Sequence, residues 1–154
     1  MKKYKTYLAG PLFTRGEIRD RYNDEKRLLT ELPQSLDIFN PINWNKTEQI
    51  DGGKIQSIDP VYIFKKDWNE IIQSDIMIVD LDNCDSGTIL EMGHFITMKH
   101  LDPTKLLYVI YSNWKGLNTL NKYVLGAINS YGIICKDIED VITKLKIYML
   151  KHTK

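Results

Sequence analysis

Asp75-Ile76-Met77-Ile78-Val79-Asp80-Leu81 is the stretch that decides the fold. Its four consecutive apolar residues leave no polar face, the pattern of a strand covered on both sides within a parallel sheet. Such a strand needs helices above and below it. Upstream, residues 60–73 read as a helix, with Pro60 suited to the first turn and Ile63, Trp68, Ile71 and Ile72 offering apolar contacts. Downstream, a loop through Asn83 and Cys84 leads to a helix over about 87–100, then to a strand at 106–111.

The same alternation continues to both ends. Residues 5–9 form a short strand that runs into the turn signal Gly10-Pro11. Ile18, Tyr22, Leu29 and Leu32 fall near multiples of 3.6, which predicts an amphipathic helix ended by Pro33. A second strand follows at 36–39, and residues 40–57 lack periodicity and read as a long loop. Beyond the fourth strand come a loop and helix around 114–130, a short strand at 132–135, and a last helix with Ile138, Val141, Ile142, Leu145 and Tyr148 on one face. Five strands alternating with five helices predict a doubly wound α/β fold. Its five-stranded parallel sheet carries helices on both faces, a flavodoxin-like or Rossmann-like three-layer sandwich.

Composition narrows the function. With 154 residues, 43% of them hydrophobic, the chain has the size of one domain, expected over 1–154. Twenty-one Lys and Arg against 20 Asp and Glu give a net charge of +1, too weak a field to imply a nucleic-acid partner. The Met1-Lys2-Lys3 start lacks an apolar signal segment, and no stretch approaches the roughly 18 apolar residues that span a bilayer, so a soluble cytoplasmic protein is expected. Cys84 and Cys135 are too few for a disulfide framework or zinc site, and His94 and His100 lack paired ligands, so no metal is expected. No G-x-G-x-x-G follows the first strand and there is no P-loop, which disfavours nicotinamide and nucleoside triphosphate chemistry; no cofactor is expected.

In open parallel sheets, ligands bind outside the carboxyl ends of the strands, where the strand order reverses. Those ends deliver Tyr7 with Gly10 and Pro11, then residues 82–87, then 112–121. Ser86, Gly87 and Thr88 open a helix whose free N–H groups favour an anion, and Gly87 permits close approach. Glu91 lies about one turn into that helix, where its carboxylate leans back towards the mouth. Alone it would read as a complement to the helix dipole. Asp85, six residues earlier, and Asp67, in the preceding helix, bring three carboxylates towards one cleft. Crowded carboxylates raise one another's pKa values and can supply an ionised nucleophile beside a protonated acid.

Tyr7-Leu8-Ala9-Gly10-Pro11 and Asp85-Ser86-Gly87-Thr88-Ile89-Leu90-Glu91-Met92-Gly93 resemble the nucleoside 2-deoxyribosyltransferase family, as do the helix-to-strand segment from Asp67 to Asp75 and Asn121-Lys122-Tyr123-Val124-Leu125-Gly126. The resemblance implies a transferase that moves deoxyribose between bases. Glu91 would attack the anomeric carbon, Tyr7 would orient it, and Asp67 would assist protonation of the departing base. It also implies that Asp85, Ser86, Gly87 and Gly10 bind substrate, that Phe13 stacks on the base, and that Asn121 completes a neighbouring subunit's site in a homo-oligomer. The implied partners are nucleosides and free bases. Displacement through a covalent glycosyl-enzyme suits these residue types. Two other readings compete: a nucleotide N-hydrolase, with Arg15, Arg19 and Ser86 as candidate phosphate donors, and a non-catalytic nucleotide sensor.

Overall fold

Strands β1 (Tyr4–Ala9), β2 (Leu36–Phe39), β3 (Ile76–Asp80), β4 (Leu106–Ile110) and β5 (Ile133–Cys135) pair in parallel in the order β2-β1-β3-β4-β5. The computed structural model describes residues 3–43, 59–113 and 119–152. Helices α1 (Arg15–Glu31), α2 (Pro60–Gln73), α3 (Ser86–Leu101), α4 (Lys122–Tyr131) and α5 (Ile138–His152) alternate with the strands. The apolar run at 76–79 is indeed the middle of an all-parallel sheet, flanked by β1 and β4.

Successive strand residues face opposite sides, and each side has its own cluster. Tyr7, Ala9, Met77, Val79, Leu107 and Val109 meet Ile71 of α2, Met92 and Phe95 of α3, and Ile128 of α4. Leu8, Ile76, Ile78, Tyr108 and Ile110 meet Leu28 of α1 and Val141, Ile142 and Leu145 of α5. Burying one large aliphatic side chain is worth roughly 1.5–3 kcal/mol, so Ile78→Asp would both lose that contribution and strand a charge between the layers. Because β1 lies between β2 and β3, α1 leaves β1 towards one face while α3 leaves β3 towards the other. The two loops therefore part at the carboxyl ends of the strands, the place where open α/β sheets form their ligand crevice.

Local chemistry moves several predicted boundaries. α1 begins three residues before Ile18 because Thr14 caps it: Thr14 Oγ1 accepts the Glu17 N–H at 3.2 Å, and Glu17 Oε2 accepts that of Thr14 at 2.7 Å. Its inward row also differs from the apolar spacing, since Arg21 and Leu28 are buried and Leu29 is exposed. Residues 41–43 are helical, following Asn40, whose Oδ1 accepts the Ile42 N–H at 3.3 Å. The rest of the predicted long loop, 44–57, lies outside the described residues. α4 begins at Lys122, where Asn121 Oδ1 accepts the N–H groups of Tyr123 and Val124; residues 114–118 of the predicted loop and helix are also outside the described residues. Among the described residues no helix is long and apolar enough to cross a membrane.

Candidate active site

Tyr7 is fully buried on the α2/α3 side of β1. Its register partner on β2 is Phe39, and the two rings stack with centroids 5.5 Å apart. The stack fixes the phenol, whose hydroxyl donates to Glu91 Oε1 at 2.7 Å. Glu91 reaches this position because α3 starts at Ser86, so a side chain one and a half turns in leans back over the sheet. Among the described residues Glu91 Oε2 accepts no hydrogen bond.

The electrostatics follow from the packing. Burial pushes the Glu91 carboxyl up to about 7; the Tyr7 hydrogen bond opposes the rise, and the charges of Asp67 and Asp85 add to it. Burial, with Glu91 and Asp67 next in weight, holds the Tyr7 phenol far above its ordinary range, so it remains a hydrogen-bond donor. Asp67, half-buried on α2, is thereby coupled to both members of the pair. The structure brings Tyr7, Asp67, Asp85 and Glu91 into one electrostatic group.

Asp85 has a structural task there as well. It is the N-cap of α3, and its Oδ2 accepts from Thr88 N–H at 2.8 Å and Thr88 Oγ1 at 2.9 Å. The anion at this helix start is the protein's own carboxylate rather than an incoming oxyanion. Gly87 serves the same contact, since a Cβ there would lie 3.1 Å from Asp85 Oδ2. Ser86 is exposed in the first turn of α3. Gly10 follows β1, and a Cβ there would come within 3.0 Å of the Arg21 side chain; its close approach is to that guanidinium. Phe13 is 79% exposed, with its N–H bonded to Glu17 Oε2. Asn121 is exposed and its Oδ1 is committed to the α4 cap.

Several residues around the site carry no clear sequence signal. Phe39 supports Tyr7 only through the β1/β2 register, which a single strand does not disclose. Trp68, next to Asp67, meets the edge of His94 at 4.4 Å between centroids, and Phe64 stacks on Trp68. This aromatic group joins α2 to α3 one turn beyond Glu91, and burial lowers the His94 pKa. Arg21 is buried on α1 although it is a charged residue of an amphipathic helix.

A carboxylate held through one oxygen by a phenol, with a second carboxylate coupled to it, can form and release an ester at an electrophilic carbon. Comparison with known proteins gives the chain a family. The profile of the nucleoside 2-deoxyribosyltransferase family matches residues 6–117. An uncharacterized protein of Ureaplasma parvum is 37% identical over 160 residues, covering 97% of this chain and 99% of that one. A 2-deoxyribosyltransferase from Bacillus psychrosaccharolyticus is 21% identical, with a TM-score of 0.62 and 90% of each chain covered. A CMP N-glycosidase from Clostridium botulinum is 15% identical, with a TM-score of 0.59 over 94% of this chain and 98% of that one. At these identities the two solved structures speak for the fold. The family match and the Ureaplasma relative carry the further step: the chain belongs to the nucleoside 2-deoxyribosyltransferase family, whose enzymes cleave N-glycosidic bonds.

Proposed function

We propose that the protein transfers a 2-deoxyribosyl group between nucleobases through a glycosyl ester on Glu91. The observation that carries this reading is the 2.7 Å hydrogen bond from Tyr7 to one oxygen of Glu91 while the other oxygen has no hydrogen bond among the described residues. Tyr7 aims the carboxylate without occupying both of its oxygens. In the first step Glu91 attacks C1′ of the nucleoside and the C1′–N bond breaks. Its electron pair passes to the base nitrogen, which takes a proton from Asp67. In the second step a nitrogen of another base attacks C1′ and releases Glu91 as carboxylate, and the incoming base returns its proton to Asp67. Two displacements at one carbon retain the anomeric configuration. Without a 2-hydroxyl, positive charge develops on the sugar at lower cost, which suits a site rich in carboxylates.

Nucleotide N-glycosidase chemistry, the activity of the Clostridium botulinum protein, would use Glu91 similarly, with water as acceptor and a 5′-phosphate to hold. The acidic Asp82, Asp85 and Glu17 around the crevice mouth favour a neutral nucleoside over a phosphate. The test is incubation of thymidine or deoxyadenosine with a second free base, followed by chromatography. New nucleoside supports transfer. Free base with deoxyribose alone points to hydrolysis, cleavage confined to 5′-monophosphates points to the nucleotide N-glycosidase, and no turnover of either class removes the catalytic reading. Activity that depends on protein concentration would support completion of the site by Asn121 of a second copy.

A further inference from the structure

On the face of the sheet opposite Glu91, beneath the crevice, lies a second buried charge cluster. The Arg21 side chain is 4% exposed. Its Nη2 is 2.8 Å from Asp24 Oδ2 and 2.5 Å from Asp80 Oδ2, and its Nη1 donates to the Ala9 carbonyl at 3.5 Å. Ala9 ends β1 and Asp80 ends β3, so one guanidinium holds the last residues of the two strands whose loops part to form the crevice. The chain of contacts continues. Asp80 Oδ1 accepts the Asp82 N–H at 2.9 Å, and Asp82 Oδ1 accepts the Ser112 N–H at 2.7 Å, which carries it into the loop after β4. At the rim, Glu17 Oε1 accepts from Asn83 Nδ2 at 2.6 Å, a second tie from α1 to the β3–α3 loop.

A buried ion cluster adds little net stability over apolar packing, because desolvation offsets the attraction of the charges. What it supplies here is direction: a planar donor set with fixed angles between two strand ends. Gly10 accommodates it, since any side chain there would meet Arg21.

We propose that Arg21 is a positioning residue for the Glu91 site, fixing the loops after β1 and β3 relative to each other and so the placement of the start of α3 against Tyr7. The inference rests on Glu91 being the reacting group. Tyr7 lies two residues before Ala9 on β1, and Asp85, the cap of α3, lies five residues after Asp80. Slack at Arg21 would lengthen the Tyr7–Glu91 hydrogen bond without altering any group that touches substrate.

The experiment compares the full-length wild type with Arg21→Met, Arg21→Lys and Asp80→Asn. It reads transfer kcat and KM together with the Glu91 carboxyl titration, followed by NMR on Glu-labelled protein and assigned with Glu91→Gln. Misplacement of reacting groups by about 1 Å costs up to about 100-fold. Arg21→Met should therefore lower kcat by about tenfold to 100-fold while KM stays within about twofold, with the Glu91 titration moving to higher pH as the Tyr7 bond loosens. Arg21→Lys should recover part of both. Arg21→Lys and Asp80→Asn nearly preserve volume and carry the same comparison if Arg21→Met does not fold. Variants that lose melting temperature but keep wild-type kcat and Glu91 titration would overturn the proposal. A wild type without nucleoside turnover, whose Glu91 titration still moves on Arg21 substitution, would sink the transfer reading and leave the positioning role supported.

Discussion

Two carboxylate clusters sit on opposite faces of one sheet near the same strand ends, and burial raises an acid in each. Asp24 is pushed up to about 6, with Arg21 pulling against the rise. Glu91 is pushed up to about 7, with only the Tyr7 hydroxyl pulling against it. Their shifts therefore do not distinguish them. What differs is the company: Asp24 and Asp80 share a guanidinium that binds strand ends, whereas Glu91 shares its surroundings with other carboxylates and a phenol. A raised carboxyl pKa marks burial in both places. Among the described residues, only the Glu91 cluster leaves one carboxylate oxygen without a hydrogen bond and has no guanidinium beside it, the features on which the proposed nucleophile role rests.

Four experiments break or sharpen that contrast, the largest expected effect first. Glu91→Ala should lower turnover by at least about 10³-fold and abolish any covalent sugar adduct in intact-mass spectra, with the circular dichroism spectrum unchanged; retained activity would remove Glu91 from its role. Asp67→Asn should lower kcat by about 10²-fold, and a nucleoside whose base departs without protonation should regain much of the loss. A uniform loss across leaving groups would assign Asp67 a task other than proton transfer. Tyr7→Phe should cost about tenfold in kcat. Because Tyr7 lowers the Glu91 pKa, the acid limb of the pH–rate profile should also move up from about 7; an unmoved limb would mean that the phenol orients without tuning.

The smallest effect is on stability. The folded pKa of Glu91 is raised from 4.5 to about 7, so its contribution is fully present below pH 4.5 and is lost as pH rises through about 7. Glu91→Gln removes that loss and should stabilise the protein by up to about 3 kcal/mol at pH 8 and by little at pH 4. Urea denaturation at the two pH values checks it. An equal effect at both would mean that the Glu91 charge is not desolvated.

Legibility in the sequence follows the physics of each feature. Residues 76–79 disclosed the sheet because a strand covered on both faces has no polar residue to spare. The spacing of Asp85, Gly87 and Glu91 was readable because it is a local relation along one helix start, whereas the capping of that helix by Asp85 emerged only from the structure. Arg21 was not, because a charged residue on an amphipathic helix reads as surface until its partner is known, and Asp80 is 59 residues away. Asn121 shows the converse limit. Its segment resembles a site motif, yet its side-chain oxygen caps its own helix, a task that any helix start can require.

The stack of Tyr7 on Phe39 has a consequence for heat. Phe39 ends β2, a four-residue strand at the border of the sheet. Border strands open locally at a lower free energy than the middle of a sheet, and each opening of β2 removes the ring against which Tyr7 rests. Catalytic competence should therefore fade on warming before the body of the sheet melts, with the amide hydrogens of β2 exchanging ahead of those of β3.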